Sequence, residues 1–126
     1  MFARFLFLTV LLCQPVIAEA MDPSVRFYEI NKREQQDRIS IRGRNDPGCN
    51  AFLKKPKTYR FNQVAYQYCT LYTERGCNEG DEIIARWSGV GPELTELTQG
   101  GRWILQGGTE RGINVGSWNC ELPPSE

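Results

Sequence analysis

The chain has 126 residues, with 15 Lys and Arg, 15 Asp and Glu, and no histidine. A net charge of zero argues against nucleic acid or an anionic membrane as the main partner, because both require a basic surplus or a basic stripe. The lack of histidine removes the usual general base of a Ser or Cys triad and a favoured ligand of zinc.

The first twenty residues have the pattern of a secretory signal peptide. Arg4 supplies an early positive charge, residues 5–13 are apolar, and Ala18 and Ala20 suit a small-x-small cleavage site. The apolar run is too short to cross a hydrocarbon core of about 30 Å. We therefore predict cleavage after Ala20, and a secreted, extracellular protein without a membrane span. Residues 21–126 are expected to form a single domain.

Four cysteines remain after cleavage, at positions 49, 69, 77 and 120. An even number in a small secreted chain predicts two disulfides, for which three pairings are possible. A zinc site is disfavoured because the chain has no histidine and no C-x-x-C pair.

The sequence predicts an internal duplication. Residues 27–42 align without a gap with residues 71–86, which lie 44 positions later, and residues 58–71 align with residues 109–122, which lie 51 positions later. The first block matches Tyr28 with Tyr72, Asp37 with Asp81, Ile39 with Ile83 and Arg42 with Arg86; the second matches Val64 with Val115, Cys69 with Cys120 and Leu71 with Leu122.

Each predicted unit contains about four short β-like segments separated by turn residues. The openings are SVRFYEI and YCTLYT, the second segments are DRISIR and DEIIAR, the third are AFL and GRWIL, and the closing segments are VAYQY and VGSW. The segment ELTELTQ suits a single helical turn. Short strands at this spacing predict an all-β fold, an antiparallel β sandwich made of two Greek-key motifs. The keys would span about 24–68 and about 69–123.

The opening FYE, the central VAYQYCTLYTE and the closing VGSWNCELPP stand in the order and spacing of a βγ-crystallin domain. The chain resembles the secreted microbial and fungal branch of that family, from about residue 25 to residue 123. In such domains the last strand of a key lies beside its first. The resemblance therefore implies that Cys69 pairs with Cys120, which leaves Cys49 to pair with Cys77.

Domains of this family bind calcium through a paired segment near the end of each key. The matching segments here, residues 62–67 and 113–118, retain Asn62, Asn114 and Ser117 but place Tyr66 and Ile113 at ligand positions. Neither segment contains a carboxylate, and a hard dication needs negative charge to be held tightly. We expect a degenerate site, with no tight calcium binding and no cofactor.

Two other groups of residues suggest a function, but each group also has a simpler structural explanation. Trp87, Trp103 and Trp118 suit either a carbohydrate platform or core packing, and we favour packing. The carboxylates of Glu79, Asp81 and Glu82 suit either a glycosidase pair or a solvated turn, and we favour the turn. We do not expect an enzyme.

A Gly-rich loop at residues 89–101 is longer than its counterpart in the first unit. It contains Val90, Pro92, Leu94 and Leu97, which form a candidate partner-binding surface. In the alternative interpretation Leu94 and Leu97 fold back and cap the sandwich.

These observations favour a secreted protein that acts by binding an extracellular protein or a cell-surface component, such as a small effector or an antimicrobial, toxin-like protein. We expect a monomer that does not bind nucleic acid. The first alternative is a protease inhibitor that presents a rigid loop near Cys49 or within residues 89–101. The second is a glycan-binding protein or small hydrolase.

Overall fold

The computed structural model describes residues 22–30, 37–42 and 48–124, and for residues 37–42 only the backbone. The predicted signal peptide lies outside the described residues. The elements within them are β1 (Ser24–Glu29), β2 (Asp37–Arg42), β3 (Asn50–Ala51), β4 (Lys57–Val64), β5 (Tyr68–Tyr72), β6 (Ala85–Trp87), β7 (Trp103–Leu105), α1 (Gly108–Arg111), β8 (Ile113–Asn114) and β9 (Ser117–Glu121). The predominance of antiparallel strands confirms the predicted all-β class. None of the helices in this part of the chain is both long and apolar enough to span a bilayer.

The strands form two sheets, and each sheet contains strands from both halves of the chain. The first sheet has the order β2-β1-β4-β7-β6, with β8 also paired to β4, and the second has the order β3-β9-β5. Strand β3 of the first half thus pairs with β9 of the second half, while β7 and β8 of the second half pair with β4. Neither sheet can be completed by one half alone.

Side-chain alternation along the strands determines which face of each sheet packs in the core. In β1, Val25 and Phe27 are buried while Arg26 is exposed, and in β4 Phe61 and Gln63 are buried. This is the period of two that a strand imposes. The buried apolar cluster comprises Val25, Phe27, Phe61, Cys69, Leu71, Ile83, Ala85, Leu97, Trp103, Leu105, Val115 and Trp118.

The strand register agrees with the first block of the predicted duplication. Tyr28 stands opposite Arg38 in the pairing of β1 with β2, and Tyr72 stands opposite Glu82 in an isolated bridge beside β5. Both partners in the second pair lie 44 positions after their counterparts. The two opening hairpins therefore have the same register, as the alignment of residues 27–42 with residues 71–86 predicts.

The predicted closing strand of the first unit, VAYQY, is wrong. Strand β4 ends at Val64, Ala65 has a φ of 69°, and β5 begins at Tyr68. The side chain of Gln63 fixes the intervening turn, because its Oε1 accepts a hydrogen bond from the Tyr66 N–H at 3.0 Å and its Nε2 donates to the Tyr66 carbonyl at 3.1 Å. The closing strand of the first half is β4 itself.

The pairing also corrects the second alignment block. Phe61 stands opposite Phe27, whereas Trp118 stands opposite Leu71, which is the counterpart of Phe27 at the 44-residue offset. Phe61 and Trp118 are therefore equivalent core positions, 57 and not 51 residues apart. Cys69 and Cys120, which the 51-residue offset treats as equivalent, are instead cross-strand neighbours.

Candidate binding site

A cleft of about 480 Å³ opens at the edge of the first sheet, between β6, β7 and the loops that follow them. Its lining residues are Ile84, Ala85, Arg86, Gly89, Glu93, Ile104, Leu105, Gln106, Gly107 and Gly108. The Arg86 guanidinium donates to Glu93 Oε1 at 2.8 Å, which ties the sheet to the loop wall of the cleft. Both side chains are about half exposed, so we assign this ion pair at most about 1 kcal/mol. Sequence reasoning missed the cleft because its walls come from separate segments.

The long loop of the second half forms one side of this cleft and presents most of the predicted binding residues to solvent. Val90 is 85% exposed and Leu94 is 39% exposed, and Pro92 is also exposed. Backbone hydrogen bonds hold the loop in place, since Ala85 and Leu94 exchange N–H to carbonyl bonds of 2.8 and 2.9 Å. Exposed apolar side chains on a loop that is fixed at its base are suited to recognition.

Leu97 does not belong to the candidate surface, and this corrects the prediction. Its side chain is wholly buried in the core, and its backbone exchanges hydrogen bonds of 2.8 and 3.1 Å with Cys69. The helical turn predicted for ELTELTQ is also wrong, since Leu94 and Leu97 form isolated β-bridges. Each of the two interpretations therefore holds for part of the loop. Leu97 caps the sandwich, whereas Val90 and Pro92 face solvent.

Two of the three tryptophans pack in the core, as favoured from the sequence. Trp103 and Trp118 are buried, whereas Trp87 is 40% exposed at the end of β6. The Trp87 Nε1–H donates to the Gly100 carbonyl at 3.0 Å, and its ring lies against Gly101. A Cβ at Gly101 would lie 3.1 Å from Trp87 Nε1, and the residue has a φ of +112°, so glycine is required at this contact.

The structure pairs Cys49 with Cys77 and Cys69 with Cys120, which are the pairs that the resemblance implied. The Cys69–Cys120 disulfide joins directly opposed residues of β5 and β9, and Cys69 is wholly buried. The Cys49–Cys77 disulfide lies at the surface and connects the first half of the chain to the second, with Cys49 exposed.

We expect the two disulfides to differ in their accessibility to reductants. A water-soluble phosphine at low concentration, followed by alkylation and peptide mass spectrometry, should label Cys49 and Cys77 first, because thiol–disulfide reactivity depends on access. Cys69 and Cys120 should be labelled only under denaturing conditions. Equal labelling of both pairs in the native protein would contradict this assignment.

The three residues at the expected degenerate calcium-site positions make hydrogen bonds to the backbone at three different places. Asn62 Oδ1 accepts from the Gly101 N–H at 2.6 Å, and Asn114 Nδ2 donates to the Lys55 carbonyl at 2.9 Å. Ser117 Oγ accepts from the Cys77 N–H at 3.1 Å and donates to the carbonyl of Glu74. Each side chain has thus taken a structural role. No group of three or more acidic, Cys or His residues that could hold a metal occurs within residues 22–30 and 48–124.

The acidic cluster of the second half lies on the turn between β5 and β6. Glu82 stands opposite Tyr72 and accepts a hydrogen bond from the Gly80 N–H. Burial raises the pKa of the Tyr72 phenol, and the negative charge of Glu82 raises it further. The hydrogen bond to Gly80 ties this carboxylate to the turn.

Comparison with protein-family models, with curated proteins and with solved structures finds no match. The strand order and the geometry described above are therefore the basis for any statement about family and function.

Proposed function

We propose that this protein is a secreted, disulfide-stabilised β sandwich that acts by binding an extracellular protein or a cell-surface component, in the manner of a small effector or an antimicrobial, toxin-like protein. The observation that carries the proposal is the cleft beside β6, with the exposed side chains of Val90, Pro92 and Leu94 next to it. Concave, largely apolar sites with a few polar groups are the common form of ligand and partner sites.

The scaffold suits this role because the segment with Val90 and Pro92 is fixed on both sides. Before it, the Val90 N–H donates to the carbonyl of Trp87 at 3.3 Å, and after it, Leu94 exchanges backbone hydrogen bonds with Ala85 at the edge of the first sheet. A loop held in this way loses little conformational entropy when it binds, which favours affinity. The two surface features, the cleft and the loop, then act as one recognition surface.

We also propose that the two halves are Greek keys in a βγ-crystallin-like arrangement. Two observations support this proposal. The opening hairpins have one register at a 44-residue offset, and the halves exchange β3 and β7 reciprocally, each pairing with the closing strand of the other half. We also propose a monomer, which is supported by a sandwich core to which both halves of the same chain contribute.

The role of the loop in partner binding is tested by comparing two substitutions that introduce the same charge at equally exposed positions. Val90→Glu places a carboxylate beside the cleft, and Leu53→Glu is a matched control because Leu53 is 87% exposed and lies on the loop before β4. We expect Val90→Glu to weaken partner binding about thirtyfold, the scale of an interface hot spot, without a change in stability. Leu53→Glu should leave binding unchanged.

The partner for this comparison is obtained by photo-crosslinking. A photoreactive amino acid at position 90, and in a separate preparation at position 53, is exposed to extracellular fluid or to a host cell surface, and the adducts are identified by mass spectrometry. A partner captured at position 90 alone supports the proposal. Equal loss of binding in the two glutamate variants, or no loss with Val90→Glu, would overturn it.

A further inference from the structure

Although the net charge of the chain is zero, the outer face of the first sheet is basic. In β1 and β4, Phe27 and Phe61 face the core, so their neighbours Arg26 and Arg60 stand on the opposite face. At the other edge of the sheet, Ala85 of β6 is buried and Arg86 is exposed. Three strands of this sheet thus contribute an arginine to its outer face.

The strand register places Arg60 and Arg86 in one row that crosses the five strands and also includes the position of Arg38. Tyr28 stands opposite both Arg38 and Arg60, and Ile104 stands opposite both Arg60 and Arg86. Arginine positions therefore occur on every second strand. Because neighbouring strands lie about 4.8 Å apart, these positions repeat at about 10 Å.

A second row extends the basic character along the strands. Arg26 stands opposite Ser40 and Asn62, two residues along β1 from Tyr28, and Arg42 occupies the register position opposite Ser24. The face thus has arginine positions along two directions of the sheet.

The charge of this face is only partly neutralised within the protein. Arg86 is paired with Glu93, whereas Arg26 and Arg60 have no ion-pair partner among the residues that the structure describes. The Arg60 guanidinium lies 4.3 Å from the centre of the Tyr28 ring, which holds it on the face, and its Nε has no hydrogen-bond acceptor. The aromatic ring orients this cation and leaves its charge uncompensated.

The basic excess is confined to the strands of the first sheet. These strands contain six basic residues and two acidic ones, Glu29 and Asp37, which stand opposite each other at the end of the pairing of β1 with β2. The strands of the second sheet contain no lysine or arginine, and their one charged residue is Glu121. Such a distribution directs an anionic ligand to the first sheet.

We propose that the outer face of the first sheet binds an anionic polysaccharide, with sulfate or carboxylate groups held by Arg26, Arg60 and Arg86. Guanidinium groups form paired hydrogen bonds with such oxyanions. The half-buried Ile104 between Arg60 and Arg86 gives a sugar ring an apolar surface. A spacing of about 10 Å suits a polymer with one anionic group per two sugars better than duplex DNA, which carries one charge per about 1.7 Å.

The same face lacks the features that other polyanions require. Single-stranded nucleic acid needs exposed aromatic rings for base stacking, but Arg60 covers one face of the Tyr28 ring and Tyr59 lies at its edge, with ring centres 6.4 Å apart. A membrane surface needs an apolar face that enters the lipid, whereas here Ile104 lies between charged residues. The face is thus charged and weakly aromatic, which favours the polysaccharide.

The proposal is tested with hyaluronan, which has one carboxylate per two sugars, with heparin as a densely sulfated probe and with dextran as a neutral control. The mature, oxidised chain should bind the charged probes at low salt, with affinity that falls as salt rises, and should not bind dextran. Arg26→Gln should weaken binding about fivefold, as for loss of one exposed charge-assisted contact. Lys54→Gln is the matched control, because Lys54 is exposed on the loop before β4 and its loss changes the net charge equally.

Two variants of Arg60 separate this face from folding. Arg60→Lys keeps the charge and should retain more binding than Arg60→Gln, while both have the same unfolding transition. Arg26→Gln should leave binding of the protein captured at position 90 unchanged, because Arg26 does not line the cleft, so failure here and failure of the proposed loop function are distinguishable. No binding at low salt, an equal loss with Lys54→Gln, or tighter binding to single-stranded DNA or phosphatidylglycerol vesicles would overturn the proposal.

Discussion

Replacing Phe27 by alanine is expected to lower the free energy of unfolding by about 3–5 kcal/mol, the usual cost of removing a buried phenyl ring. Phe27 is wholly buried, and its ring centre lies 5.0 Å from that of Phe61 and 5.2 Å from that of Trp118. Phe61 belongs to the first sheet and Trp118 to the second, so one cavity would weaken packing between the sheets. Denaturant unfolding of the mature, oxidised chain, followed by tryptophan fluorescence, measures the loss.

Phe52 provides the matched control for this substitution. Its ring centre also lies 5.0 Å from that of Phe27, but the residue is only partly buried at the margin of the core. Phe52→Ala should therefore cost less, about 1–2 kcal/mol, because the site is already partly hydrated. Similar losses for the two variants would show that the aromatic cluster is not centred on Phe27.

The opening hairpins could be predicted from the sequence because their information is local. Val25 and Phe27 alternate with Arg26 and Tyr28, and a similar alternation of apolar and polar residues recurs in the sequence of β2. A period of two with one apolar face specifies both a strand and the face it buries. The alignment at an offset of 44 residues then predicts the second hairpin from the first.

The closing strand of the first half could not be located in the same way. In VAYQYCTL the residues Val64, Cys69 and Leu71 match VGSWNCEL, yet Val64 ends β4 while Cys69 and Leu71 belong to β5. The match is with a neighbouring strand and not with an equivalent one. Which residues oppose each other across a sheet is a non-local property, and short apolar segments do not encode it.

The candidate site was predicted only in part, because the burial of one of its residues also depends on a non-local contact. The composition of residues 89–101 indicates an exposed loop, and Val90 and Pro92 are indeed exposed. Nothing local distinguishes Leu97, which is buried by bonding to Cys69. The basic face was not predictable at all, because its arginines come from separate strands and the net charge is zero.

Removing the buried disulfide is the second change with a large expected effect. Replacing both Cys69 and Cys120 by alanine should lower the free energy of unfolding by about 4 kcal/mol, because the disulfide closes a segment of 51 residues in the unfolded chain. A further loss is expected because Cys69 is wholly buried and lies within the apolar core, where removing its sulfur leaves a void. Denaturant unfolding with the Cys49–Cys77 disulfide intact measures the loss.

The double replacement of Cys49 and Cys77 by alanine is the control, since it removes a disulfide that closes a shorter segment of 28 residues at the surface. Chain entropy alone gives this pair about 3.5 kcal/mol, and no core void is added because Cys49 is exposed. The variant without Cys69–Cys120 should therefore have a lower free energy of unfolding than the variant without Cys49–Cys77. The reverse order would mean that the connection between the halves, which Cys49–Cys77 provides, stabilises the fold more than the crosslink between β5 and β9.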